Sequence, residues 1–226
     1  MKVVGKELRT LSKDDNLIRT QRKAITEAAL KVFEHKNYDA ATIQEIADAA
    51  GFSLGNIYRY IGSKEDILHL ICHDAELLME EGGEVDITVR CETVTETLKQ
   101  TIIAFVKRSE PQAKKHLFYD REIRNFTHAD REMLLKSQVK LVELFEEIIR
   151  EGIDRGEFKT IDPLLIAHNI GMLQHDWALR RWFLIKHYSI DEFAVKQAEI
   201  ILKSLANPDW LDTNKIGVVG ISGSET

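Results

Sequence analysis

Residues 42–68 read TIQEIADAAGFSLGNIYRYIGSKEDIL, and the spacing of polar caps and apolar residues within them predicts a helical hairpin. Thr42 and Glu45 stand three apart ahead of Ile46 and Ala47, the signature of a capping box that opens a helix. Gly51, directly after Ala50, can close that helix in the left-handed conformation. Ser53 then caps a second helix over residues 54–60, and Gly62-Ser63 interrupts the chain before a longer helix starts. Ile57 and Ile61, four apart, face inward onto Ile43, Ile46, Ala47 and Phe52. Ser53, Leu54, Gly55, Asn56, Tyr58, Arg59 and Tyr60 are left on or near the outer side. Two short helices joined by a tight glycine turn make a helix-turn-helix. An outer face of small residues with Asn and Arg suits a DNA groove, where such side chains pair with base edges. Gly55 costs a helix about 1 kcal/mol relative to alanine. Close backbone approach to a ligand and a packing restriction are both possible reasons for keeping it.

Outward from this hairpin the helical period continues. Upstream, Ile18, Ile25, Ala28, Ala29, Val32 and Phe33 recur at helical spacing over residues 17–34. Downstream, a helix from residue 63 runs to the Gly82-Gly83 pair. Further helices are expected over residues 86–108, 113–125, 130–152, 162–185 and 191–206. Asp162-Pro163 and the Ser189/Glu192 capping box mark the last two starts. The expected fold is all-α: a three-helix, N-terminal helix-turn-helix domain over residues 17–64 and a helical body over 65–206. A flexible arm (1–16) and a frayed tail (207–226) flank them.

With 226 residues, the chain has room for one small domain and one medium one. Net charge is −6, which at first argues against nucleic acid. Its distribution is uneven. Residues 1–64 carry 11 Lys and Arg against 8 Asp and Glu, whereas the remainder carries 20 against 29. Because salt screens charge beyond about 8–10 Å, a basic head on an acidic body can still bind phosphates. The N-terminus lacks the apolar core of a secretory signal, and no run approaches the roughly 18 apolar residues of a membrane span. Cys72 and Cys91 form no C-x-x-C pattern. A reduced, cytoplasmic protein without a membrane partner is expected.

Residues 42–68 closely resemble the helix-turn-helix of the TetR/AcrR family of repressors. The Gly-Phe-Ser turn, Gly55, Ile57-Tyr58 and Ser63-Lys64-Glu65 fall where that pattern has them, and the likeness extends over residues 19–68. The resemblance implies that Thr42 and Gln44 meet phosphate or a base from the supporting helix. It implies base-facing positions for Leu54, Gly55, Asn56 and Arg59, and phosphate-facing ones for Tyr58, Tyr60 and Lys64. Leu54 departs from the small or polar residues common there; it can touch a thymine methyl. Arg59 is the candidate for reading guanine.

The resemblance further implies a ligand-binding body whose last two helices form a four-helix bundle with a second subunit. His168, Gly171, His175, Ala178 and Trp182 share one stripe and are expected at the dimer interface. Phe105, Phe118, Tyr119, Phe126, Phe145, Met172, Leu173 and Trp177 are candidates for an apolar effector pocket, although core is their ordinary role. Asn169, Asp176 and Arg180 are the polar candidates beside them. The expected partners are palindromic operator DNA, a second copy of the chain, and an apolar or amphipathic effector such as a fatty acid, acyl-coenzyme A or aromatic acid.

Two other readings compete. His69 and His73, four apart on one helix, have the spacing of a metal pair, which makes a metal-responsive regulator the first alternative. A non-specific DNA-packing protein is the second, and the acidic body argues against it. Phosphate-binding loops and nucleophile motifs are lacking, so neither an enzyme nor a cofactor is expected.

Overall fold

The computed structural model describes residues 15–80 and 88–208, with side chains for 16–72 and 88–208. The expected arm, apart from its last two residues, the Gly82-Gly83 stop and the tail beyond residue 208 lie outside these. The described chain is helical throughout, apart from one isolated β-bridge between Phe158 and Ala206. The head comprises α1 (Asp15–His35), α2 (Ile43–Ala50), α3 (Leu54–Ile57) and the start of α4 (Lys64–Glu80). The body adds α5 (Val94–Ser109), α6 (Ala113–Glu122), α7 (His128–Asp154), α8 (Pro163–Leu184) and α9 (Ile190–Leu205).

In the head, Ile25, Ala29 and Phe33 of α1 close over Ile46 and Ala47 of α2, Ile57 of α3 and Ile67, Leu68 and Ile71 of α4. This core does not end at the head. Phe118 of α6, Phe126, and Leu134 of α7 belong to it, so α4 is clasped between both parts of the molecule. A second core, built on Phe105, Phe145, Ile149, Trp177 and Phe193, joins α5, α7, α8 and α9.

The turn after α7 ties the far end of the body together. Gly156 takes φ +74, in the left-handed region that glycine tolerates. Glu157, buried at that turn, accepts hydrogen bonds from Val94 N (3.0 Å) and Thr95 N (2.8 Å) and so satisfies the first amides of α5. Its neighbours hold α9: Lys159 N donates to Leu205 O at 3.0 Å, and Asn207 N to Glu157 O at 3.2 Å.

Three boundaries differ from the sequence reading. Helix α5 starts at Val94 rather than residue 86, because Thr93 is its N-cap, accepting from Glu96 N at 3.1 Å. The residues before it run along α5, with Cys91 N donating to Thr97 Oγ1 and Val89 N to Thr101 Oγ1. The helix expected over 113–125 ends at Glu122 and tightens into a 3₁₀ turn, Ile123–Asn125. The second hairpin helix is α-helical only over Leu54–Ile57. Beyond it Arg59 N bonds Asn56 O and Tyr60 N bonds Ile57 O, the shorter-range pattern of a 3₁₀ turn.

Candidate nucleic-acid interface and the body behind it

Local sequence holds the hairpin firmly. Thr42 Oγ1 accepts from Glu45 N at 3.2 Å while the Glu45 carboxylate accepts from Thr42 N at 3.0 Å, completing the box. Lys36 pairs with the same carboxylate; that bond and those from Thr42 lower the Glu45 pKa to about 2. Gly51 ends α2 at φ 73, and Ser53 Oγ caps α3 at 3.2 Å from Asn56 N. Asp66, buried behind the hairpin, accepts from Gly62 N (2.7 Å) and Ser63 N (3.2 Å), fixing the entry into α4.

The ten residues expected to meet DNA divide by what their side chains already do. Leu54, Gly55, Tyr58 and Arg59 are exposed and Asn56 is partly so. Among the described residues, the Asn56, Tyr58 and Arg59 side chains carry no hydrogen bond or ion pair. Thr42, Gln44, Ser53 and Lys64 are accessible but engaged. Gln44 Nε2 donates to Asp48 at 2.7 Å, while Lys64 Nζ sits 4.4 Å from the Tyr38 ring centroid and 3.3 Å from Asp39 O. Tyr60 is a correction: only 5% exposed, it packs 6.1 Å from the Phe52 ring rather than on the outer side. The cause is the 3₁₀ turn, in which residues three apart eclipse, so Tyr60 follows Ile57 inward. Gly55 also has its answer from within the chain, since a Cβ there meets nothing within 4 Å. Internal packing gives no reason for it.

Hydrogen bonds join the head to the body along α6 and α7. Glu122, buried, accepts from Tyr38 N at 3.3 Å, and Arg121 donates to Phe33 O. Tyr119 Oη donates to Ile71 O at 2.9 Å. His69 Nδ1 lies 2.7 Å from Asp130 Oδ1 at the N-terminus of α7. Burial resists ionisation of Asp130, but bonds from His69 and Thr127 outweigh it and hold the carboxyl below its ordinary range. His69 is thus committed to a protein carboxylate, and the His73 side chain lies outside the described residues. Among the described residues no three His, Cys, Asp or Glu side chains are arranged to hold a metal ion.

The candidate effector residues are not gathered around one space. Phe105, Phe145, Leu173 and Trp177 lie in the body core; Phe118 and Phe126, with Tyr119 against them, lie in the core shared with the head. Asn169, Met172, Asp176 and Arg180 are exposed on α8 and face away from both. Trp177 Nε1 and Arg181 both bind Glu110, and Gln174 Nε2 donates to Phe105 O at 3.2 Å, so α8 is pinned to the end of α5.

The expected dimer stripe also divides. His168 and Trp182 are exposed, but Ala178 is buried within the protomer. Gly171 faces α7, where an added Cβ would lie 3.7 Å from Val142. His175 pairs with Asp120 at 3.5 Å and lies 5.6 Å from the ring of His116. Burial, then His175, lowers the His116 pKa to about 4, which leaves it uncharged at neutral pH. The outward apolar line of α8 is instead Leu165, Met172, Leu179 and Phe183, flanked by Leu164 and Trp182. Sequence reading missed this line because α8 is apolar around most of its circumference, so periodicity does not say which face turns inward.

Residues 25–71 match the family model described as bacterial regulatory proteins, tetR family, and residues 91–205 match the tetracyclin repressor-like C-terminal domain. The HTH-type transcriptional regulator HbdR of Aromatoleum sp. (strain CIB) is 27% identical over 193 residues, 84% of this chain and 82% of that protein. Among solved structures, the TetR family transcriptional regulator PfmR from Thermus thermophilus superposes with a TM-score of 0.68 at 26% identity, covering 81% of this chain and 99% of that one. The regulator FadR from Bacillus subtilis, solved in complex with stearoyl-CoA, shares the fold with a TM-score of 0.61 at 22% identity, over 81% of this chain and 98% of that one. Among the described residues no helix is long and apolar enough to cross a membrane.

Proposed function

The chain belongs to the TetR family of bacterial transcriptional regulators, and from that premise we propose that it is a dimeric, ligand-released repressor reading operator DNA through α3. The observation that carries this reading is the unused set on the recognition helix. Leu54, Gly55, Asn56, Tyr58 and Arg59 form an outward face that the protomer itself does not need. Gly55 lets the helix backbone approach the groove, Asn56 and Arg59 present the donors that pair with base edges, and Leu54 meets a thymine methyl. Tyr58, with Thr42, Gln44 and Lys64, binds phosphates and fixes register without reading sequence. Lys64 leaves the Asp39 carbonyl to do so. The division of labour proposed is a DNA-reading unit over residues 17–64 and an effector and dimer unit over 65–206, acting in the cytoplasm.

Two recognition helices must reach half-sites about one helical turn apart, so the dimer sets the spacing. The exposed apolar line of α8, together with α9, is the proposed contact between subunits. The effector proposed is an amphipathic acyl or aromatic acid, free or as its coenzyme A thioester. Support comes from the aromatic content of the body and from a protein of this fold solved with stearoyl-CoA. Binding in the body would act through α4, because Tyr119 and Asp130 grip that helix from α6 and α7. A ligand that favours a tilted α4 by roughly 1–3 kcal/mol releases the operator to a useful degree.

Arg59→Ala tests the reading of sequence. It is expected to weaken operator binding by about 10- to 100-fold, the worth of a good base contact, while non-specific binding falls far less. Titrations of both duplexes at one fixed salt concentration measure the ratio. Equal losses on the two would make Arg59 a phosphate contact.

A further inference from the structure

We infer that the dimer is locked by an aromatic knob at the C-terminal end of α8, which enters a groove beside the N-terminal end of the partner's α8. This rests on the dimer reading above and specifies its geometry. The groove, open and about 620 Å³ in volume, runs between α7 and α8. Leu135, Val139, Val142, Leu164 and Leu165 form its apolar walls, and Glu143, Glu146 and Asp162 line its acidic edge. Leu135, Val139, Leu164 and Leu165 are each more than half exposed, so the groove is wide open to water in the single protomer. A monomer seldom leaves such a patch uncovered.

The knob lies at the other end of the same helix. Trp182, 62% exposed, stands with Phe183 at a ring separation of 5.9 Å, and Lys186 Nζ lies 6.0 Å from the Trp182 ring. Knob and groove are complementary in both properties that matter. The groove is apolar with acidic edges; the knob is aromatic with a cation beside it. Of the three acids, Glu146 is paired with Arg150 and Asp162 caps α8. Glu143 is exposed, and no ion pair is described for it, which leaves its charge for Lys186 of the partner subunit.

Symmetry makes the match reciprocal. In a two-fold dimer with the two α8 helices antiparallel, residues pair across the axis at equal distances from mid-helix. Leu165 and Trp182 lie on opposite sides of the midpoint between Leu173 and Gln174, each about 13 Å from it at the helical rise. One subunit's Trp182 therefore falls on its partner's Leu165 just where the other knob falls on the other groove. His168 meets the partner's Leu179, and the crossing is centred near Met172. A buried Trp removes about 150–250 Å² from water, so two such insertions form an anchor of the kind that dominates interfaces.

The full-length protein, with and without substitutions, is measured by sedimentation over a concentration series. Trp182→Ala is expected to raise the dimer dissociation constant by about 100-fold or more, as loss of a central aromatic anchor does. Glu143→Lys and Lys186→Glu should each raise it by about 10-fold, and their combination should bring it back to within about threefold of the parent. All three positions are solvent-exposed in the protomer, and helical circular dichroism at matched concentration checks folding. A parent that is monomeric overturns the dimer reading and the knob with it. A parent that is dimeric but indifferent to Trp182→Ala, or a charge-swapped pair no tighter than its single variants, overturns the knob while leaving the dimer standing.

Discussion

Gly152→Ala should destabilise the protein by about 2 kcal/mol, although alanine is the better helix former by about 1 kcal/mol. Gly152 lies near the end of α7, and a Cβ there would stand 2.9 Å from Cγ of Phe158 and closer still to Cδ2 and Cε2. Those are ring carbons of a buried side chain with little room to retreat. Phe158 N also donates to Gly152 O at 3.0 Å, so ring and backbone are held to the same spot. Moving the ring pulls on the turn that caps α5 through Glu157 and ends α9 through Ala206. Urea unfolding at one fixed protein concentration should show a lower midpoint with an unchanged slope. In a Phe158→Ala background the sign should reverse, because the clash is gone and only the helix propensity remains. A destabilisation that persists in that background would mean that something other than the ring resists the methyl group.

Gly55→Val should leave stability unchanged or slightly raised and still cost at least about 100-fold in operator affinity, roughly 2.7 kcal/mol. The first half follows from the empty space around Gly55, together with the poorer helix propensity of glycine. The second follows if α3 approaches the groove with its backbone, since a β-branched side chain then stands where DNA must be. Gly55→Ala should lie between, which gives the effect a graded readout. Retention of operator affinity in Gly55→Val would mean that α3 docks by its later residues and that Gly55 has another purpose.

The hairpin was legible because its signals are local. Thr42 with Glu45, Gly51 and Ser53 each act within one turn of chain, and all four do in the structure what their residue types predict. The same holds for Asp162, whose carboxylate caps Leu165 N, and for the Ser189 and Glu192 box. What escaped depends on distance or on the number of residues per turn. Tyr60 reads as outward if α3 stays α-helical, and the change to 3₁₀ bonds at Tyr58 rotates it inward. Thr93 was overlooked as a start because Val89 and Val94 extend the apolar pattern upstream, and only Glu157, over sixty residues away, shows where the α5 amides are satisfied. The face of α8 is the clearest case. Gly171 and Ala178 suit a close helix contact, and they make one, but with their own protomer.

Selection of bound duplexes from a random pool by the full-length protein bears most directly on the role of the head. An inverted repeat should be enriched, its half-site centres one helical turn or a multiple apart, with Gly55→Val enriching nothing. Enrichment of no sequence, with binding that depends steeply on salt and equally so for every duplex, would contradict a sequence-reading regulator.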